Sequence, residues 1–396
     1  MGTTAAFAPA GLDGELRRRH ALITAELAEI GASCLVAVRD QSVTYLTGYT
    51  TLTWKMYSRP VVAVLTAGGR LMVLAAETEV DSARLRIPGA DVWSYVELWP
   101  VAPGTGLPDG RIQFAPHAAK VLSEMIEEAG PGVVAVDGLG AAWPPIGQMT
   151  ALIPSLADRV LDASELIWRL RLRKSDWELD RMRQASAILD RAHDLLREQL
   201  RPGMTEREIA KLFSIAQLEA GAHEVGPFGV VAGPDRGLFG GPTDRTWDAD
   251  ELLYVDGAPI VDGYWSDYCR TYAARPVRPA ERDGYARARA GLDAAVAEGK
   301  PGCTAGRLGT VMAAAMDIAP HTVGFGRFGH GIGLHVPEPP SLHPADSTPL
   351  EEGFTICIEP AVVHGGINFV VEEEHLLAAT GFERLSPRSP EGIIVL

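Results

Sequence analysis

Cysteine and positive charge are both scarce in this chain, and each shortage excludes a class of function. The four cysteines of 396 residues, Cys34, Cys269, Cys303 and Cys357, lie far apart with no C-x-x-C spacing. Neither a zinc knuckle nor a disulfide framework is indicated, and a reduced, cytoplasmic setting is expected. Lys and Arg number 36 against 51 Asp and Glu, for a formal net charge of −15. That balance argues against nucleic acid or an anionic membrane as a partner, because both require a basic surface. No apolar run is long enough to cross a bilayer. The opening MGTTAAFAPAG lacks a basic n-region, so no signal peptide is expected, and Ala6 breaks the myristoylation pattern. What remains has the apolar and charged content of a globular chain, at a length that suggests two or three domains.

Residues 13–30 carry apolar side chains at helical spacing, with Asp13 as a cap and Gly31 as a stop. Four β-rich runs follow, within SCLVAVRD, SVTYLTGY, RPVVAVLTAGGRLMVLAAE and DVWSYVEL. Residues 113–129 read as a helix, GVVAVDG as a buried strand and 145–156 as another helix, so residues 1–163 form an α/β domain. From Ser164 to Leu200 the pattern becomes one long amphipathic helical region, stopped by Arg201-Pro202-Gly203. Thr205 with Glu208 forms a capping box for the next helix. Residues 164–396 then run helix, helix, hairpin, followed by helix, helix, strands. This order hints at two similar halves, although no residue-level repeat marks them.

The stretch 252–271, LLYVDGAPIVDGYWSDYCRT, is the most informative. Asp262-Gly263 between two apolar runs is a two-residue hairpin signal. In that register Val261 faces Tyr264 and Asp256 faces Cys269, which brings Asp267 diagonal to Asp256 on one face of the ribbon. Two carboxylates held so close require a proton or a cation between them. Three further groups end buried or glycine-flanked runs: His330 in Gly-His-Gly-Ile-Gly, Glu359 after Phe354-Thr-Ile-Cys-Ile, and Glu372 after Ile367-Asn-Phe-Val-Val. A lone histidine or carboxylate at such a place is more often structural, and it is their number that suggests a site.

These motifs, V-D-G-A-x-x-D-G-Y-x-S-D-x-x-R-T, G-H-G-I-G-L, T-I-x-I-E-P and V-E-E-x-x-L, stand in the order and spacing of the pita-bread metallopeptidases. The chain resembles that family, which includes methionine aminopeptidase, aminopeptidase P, prolidase and the metal-free creatinase. Ser42-Val-Thr-Tyr-Leu-Thr-Gly-Tyr49 and Arg171-Leu-Arg-Lys-Ser175 extend the resemblance to a creatinase-type amino-terminal domain and its link. The resemblance implies an α/β creatinase-type domain over 1–163 and an α+β pita-bread catalytic domain over 164–396, with pseudo-twofold halves. It also implies that Asp256, Asp267, His330, Glu359 and Glu372 hold two divalent ions, manganese, cobalt, iron or zinc. Between Glu372, Glu373 and Glu374, the distance to Gly381 favours Glu372. In relatives the amino-terminal domain reaches across a homodimer, so a homodimer is expected, with Trp54 and Tyr57 as substrate contacts.

The chain departs from the peptidases at three places. Pro337 stands where they carry a second histidine, with His335 two residues earlier as a substitute. Residues 233–250 contain no histidine, which leaves Phe239 among the candidate substrate contacts, and Val370 replaces an arginine. The pattern is similar to the family's non-peptidases, ectoine hydrolase and dimethylsulfoniopropionate lyase. The expectation is a hydrolase that cleaves a C–N bond, amide or amidine, of a small molecule. Hydroxide held between the two metals would attack, Glu359 would relay the proton, and His335 and His364 would assist. The alternatives are an Xaa-Pro dipeptidase or aminopeptidase, and a lyase.

Overall fold

A computed structural model describes residues 9–51, 61–96, 116–137, 153–233, 241–318 and 326–396. The chain divides into two compact units, Met1–Leu170 and Arg171–Leu396. The division falls inside the helix Ser164–Leu172 rather than before it.

The first unit is built on a six-stranded sheet in the order Asp91–Tyr95, Leu71–Ala76, Val62–Thr66, Ala32–Ala37, Val133–Asp137, Val160–Asp162. Pairing is antiparallel around Val62–Thr66 and parallel towards both edges. The central strands are buried on both faces, as their unbroken apolar runs require. One face packs on Leu122, Met125 and Ile126 of the helix Pro116–Glu128. The helix Leu12–Glu29 begins one residue before the expected Asp13 cap, after Gly11. Ser42-Val-Thr-Tyr-Leu-Thr, read from β-propensity as a strand, lies in the helix Asp40–Thr47. Its Ser42–Thr47 side chains are all buried, so packing outweighs the local preference of Val and Thr. Of the expected helix 145–156, the described part holds only a 3-10 turn, Pro154–Leu156.

The expected single helical region of 164–200 is two helices, Ser164–Leu172 across the division and Asp176–Gln199 in the second unit. Ser175 interrupts it: its hydroxyl accepts from the Glu178 N–H while Glu178 accepts from the Ser175 N–H, which starts a new helix. The Thr205–Glu208 box starts the helix Glu206–Glu219 in the same way. A four-stranded sheet runs in the order Ile394–Val395, Tyr268–Ala273, Leu252–Gly257, Val230–Ala232. A five-stranded sheet runs Glu338–Ser341, Gly329–Gly331, Thr355–Ile358, Glu373–Ala378, Gly381–Arg384. Helices precede each sheet in pairs, Asp176–Gln199 with Glu206–Glu219 and Pro279–Glu298 with Ala305–Ala315.

The two halves do share a residue-level repeat, contrary to the reading of the sequence. Arg201-Pro-Gly-Met-Thr205 and Lys300-Pro-Gly-Cys-Thr304 join the two helices of each pair. In both, the glycine N–H donates to a distant carbonyl, that of Trp247 or Leu350. In both, the threonine caps the following helix and bridges to Thr246 or Pro349. Five residues are too short a repeat to stand out until their equivalent hydrogen bonds are seen.

The hairpin register is the expected one: Val261 pairs with Tyr264, and Asp256 with Cys269. Asp262 at φ 50° and Gly263 at φ 86° form the type I′ turn that Asp-Gly favours. Gly263→Ala is expected to lower stability by about 1–2 kcal/mol, because an L side chain there strains the left-handed backbone. A urea midpoint equal to the parent's would show that the turn does not need its glycine.

Candidate metal centre

Asp256 and Asp267 are brought together by the hairpin, and Glu372 reaches them from the break between Ile367–Val370 and Glu373–Ala378. One carboxylate oxygen from each of the three lies within 4.8 Å of the others. Asp267 also belongs to a second group, with His330 and Cys357, at the same spacing. Asp267 is thus the shared member that joins the hairpin to the other half of the unit.

His330 is positioned by the strand Gly329–Gly331, where it sits opposite Cys357. A Cβ on Gly331 would run into the carbonyl oxygen of Pro339, so the neighbouring chain requires glycine there. His330 Nδ1 lies 2.9 Å from the Gly331 carbonyl, which can only accept, so Nδ1 carries the proton. Nε2 then points at carboxylates, 3.4 Å from Asp267 Oδ2 and 3.4 Å from Glu359 Oε1. Burial would lower the imidazole, but the charges of Glu359 and Asp267 reverse this and raise it above its ordinary value.

The carboxylates report the same need for positive charge. Burial first, and then the neighbouring charges of Asp267 and Glu359, push Asp256 well above the usual range. Glu372 is pushed up by burial and by Asp267 and Asp256. Its Oε2 is buried and has no hydrogen-bond partner among the described residues. An oxygen-rich set with one imidazole nitrogen and an orphaned carboxylate oxygen fits divalent cations.

The three consecutive glutamates have separate roles. Glu374 accepts the Asp267 N–H at 2.8 Å and the Ser266 hydroxyl at 3.1 Å, fixing the backbone of the shared aspartate. Burial pushes its carboxyl up to about 8. Glu373 accepts the N–H and hydroxyl of Ser389, both at 2.7 Å. Only Glu372 of the three joins the cluster.

The other expected contacts are dispersed. His335 is half-buried, with its ring 6.3 Å from that of Trp265 and Nδ1 3.2 Å from the Pro337 carbonyl, while Pro337 itself is exposed. His364 turns to the helix Pro279–Glu298, with Nε2 3.2 Å from Asp283 and Nδ1 3.5 Å from Arg287, and does not enter the cluster. Trp54, Tyr57 and Phe239 lie outside the described residues. Val370 is buried beside Cys269 and Ala361 in an apolar patch.

Three neighbours of the centre escaped the sequence reading. Cys357 lies in the strand Thr355–Ile358, two residues before Glu359, the spacing at which an extended chain brings side chains to one face. Glu374 gave no signal that separated it from its neighbours. Arg327, whose Nε is 3.8 Å from Glu359 Oε1, lies in a segment that reads simply as glycine-rich.

Residues 180–381 match the family model described as metallopeptidase family M24, and residues 19–173 match that of the creatinase/prolidase N-terminal domain. The Xaa-Pro dipeptidase of Lactobacillus helveticus is 35% identical over 231 residues, which span 56% of this chain and 62% of that protein. The probable dipeptidase PepE of Mycobacterium bovis is 29% identical over 357 residues, 88% of each chain. Among solved structures, dipeptidase PepE from Mycobacterium ulcerans superposes with a TM-score of 0.77 at 24% identity, covering 96% of this chain and 98% of that one. An Xaa-Pro dipeptidase from Bacillus anthracis gives 0.77 at 19% identity, covering 96% and 100%. At those identities the superpositions speak for the fold alone.

Proposed function

Because the chain belongs to metallopeptidase family M24, with a creatinase/prolidase-type domain before its pita-bread catalytic domain, we propose that it is a dipeptidase using two divalent ions. The coarser statement stands without the proposal: the protein is a metal-dependent hydrolase of the peptidase type. The observation that carries the finer one is the convergence of Asp256, Asp267 and Glu372, with His330 turned towards the same oxygens. The similarity over 88% of its length to a protein named a probable dipeptidase favours a dipeptide over the amidine or sulfonium substrates of non-peptidase relatives.

Asp256, Asp267, His330, Glu359 and Glu372 are the proposed ligands. When bound, the ions would acidify a water molecule and polarise the scissile carbonyl. Glu374 holds the Asp267 backbone in place through the Asp267 N–H. The Gly331 carbonyl keeps the His330 proton on Nδ1 and leaves Nε2 free to ligate. Glu359, whose side chain is 26% exposed, is the most solvent-accessible of the carboxylates that face His330 and is assigned the proton relay to the leaving nitrogen.

A second reading keeps a specific observation. Val370 packs with buried Cys269 and Ala361 where the prolyl peptidases carry an arginine, which favours a substrate that needs no cation at that position. The two readings are separated by assaying the metal-loaded protein in parallel on Xaa-Pro dipeptides, other dipeptides, an ectoine-like amidine and dimethylsulfoniopropionate. Dipeptide turnover on the order of 1–10³ s⁻¹ is expected. Inert dipeptides beside a rapidly consumed amidine would overturn the proposal.

A further inference from the structure

Arg327 precedes Phe328, a fully buried side chain whose N–H donates to Leu342 and whose carbonyl accepts the Glu359 N–H. The backbone beside Arg327 is therefore tied both to the core and to the strand end that carries Glu359. Its side chain is 32% exposed, and its Nε stands 3.8 Å from Glu359 Oε1. That Nε is nonetheless buried, with no hydrogen-bond partner among the described residues. The separation is an ion pair's rather than a hydrogen bond's, so the guanidinium is electrostatically held but has an unused donor.

A charge balance makes this arrangement unusual. Two divalent ions would match the charge of the four carboxylates Asp256, Asp267, Glu359 and Glu372, so Arg327 adds a positive charge at the edge of the centre that only an acidified water or an incoming anion would offset. Two arginines of the unit's acidic core, Arg270 and Arg289, are engaged elsewhere. Arg270 donates to the Cys269 carbonyl and lies over the Tyr268 ring, and Arg289 donates to Ser389 beside Glu373. A partly exposed guanidinium whose inner Nε faces Glu359 and whose terminal nitrogens have no partner among the described residues is suited to a carboxylate supplied from outside.

We propose that Arg327 binds the C-terminal carboxylate of the substrate and so performs the task that Val370 cannot. This inference rests on the dipeptide reading. The spacing fits it: in a dipeptide the carboxylate lies one residue beyond the scissile carbonyl, about 3.8 Å along the chain. That is comparable to the separation of Arg327 from the proposed proton relay Glu359. A longer peptide would place a neutral amide at Arg327, and its carboxylate out of reach.

The test compares wild type, Arg327→Met and Arg327→Lys, each loaded with the same metal and assayed for metal content. The substrates are one dipeptide as the free acid and as its C-terminal amide. Wild type is expected to prefer the free acid. Arg327→Met should raise KM for the acid at least about tenfold, with a smaller change in kcat, as loss of a hydrogen bond between charged groups implies. Any change that reaches the reaction through Glu359 should fall on acid and amide alike, so the acid-to-amide preference is the readout: Arg327→Met should largely lose it, and Arg327→Lys should recover part of it. An undiminished acid preference in Arg327→Met, an equal loss on both substrates, or loss of metal from that variant would overturn the inference and leave the dipeptidase reading intact. Wild type inactive on acid and amide alike would bring down the dipeptidase reading itself, and this inference with it.

Discussion

Asp267→Ala is expected to abolish metal retention and turnover together. Asp267 is the residue common to both groups of candidate ligands, so its loss dismantles the carboxylate cluster and the imidazole side at once. The effect should exceed the roughly 10–100-fold loss that follows removal of an outer partner of a ligand. Metal content after dialysis and kcat/KM on the same preparation check it, and full activity with a full complement of metal would refute the ligand assignment.

The same substitution should change the metal-free protein in the opposite direction. Asp256, Glu359 and Glu372 are all raised, first by burial, and Asp267 adds to each. A carboxyl raised in the folded state contributes stability that is fully present below its unfolded value, near pH 4, and is lost as pH rises through its folded value. Glu374, raised to about 8, acts in the same sense. Chelated wild type should therefore melt at a lower temperature at pH 8 than at pH 5. Chelated Asp267→Ala should show a flatter profile and a higher melting temperature at pH 8. Added metal should stabilise wild type most at the higher pH. A chelated wild type insensitive to pH would mean that the repulsion is relieved in some other way.

How far the sequence could be read depended on how local each signal was. Asp262-Gly263 determines its own turn, so the register that pairs Asp256 with Cys269 could be derived from a dozen residues. The gathering of His330, Glu359 and Glu372 around that hairpin is set by contacts between distant strands, and only the resemblance to a family supplied it. Ser42–Tyr49 reads as β because Val and Thr prefer strands, yet Ser42–Thr47, all buried, lie in a helix. Ser175 and Glu178 did carry a readable capping box, hidden by the amphipathic pattern that continues on both sides of it. Arg327 had no local signal: its importance comes from Glu359, 32 residues away and brought near by the Glu359 N–H bond to Phe328.

Glu338→Ala is expected to be among the most destabilising single changes in the second unit. Glu338 is buried and faces two buried cations: one oxygen accepts from Arg171, and the other lies 3.2 Å from Lys174 Nζ. Burial alone would raise this carboxyl, and the two cations more than reverse that, holding it below the usual range. Its contribution is therefore present above the unfolded value and lost as pH falls through the folded one, at the acid limb below about pH 4. Removing Glu338 at neutral pH takes away the carboxylate that two buried cations share, which costs about 3–5 kcal/mol. The loss should also reach the site, because the same oxygen that meets Arg171 accepts the Leu334 N–H at 3.1 Å and closes the segment that carries His335. Urea unfolding at neutral pH measures the cost. Combining Glu338→Leu with Arg171→Met and Lys174→Met should return most of the stability, since replacing all three charges by apolar groups strands none of them. A single Glu338→Ala variant within about 1 kcal/mol of wild type, or a triple variant no better than the single one, would mean that the cations find other partners and that the segment from Gly333 to Glu338 is held without this carboxylate.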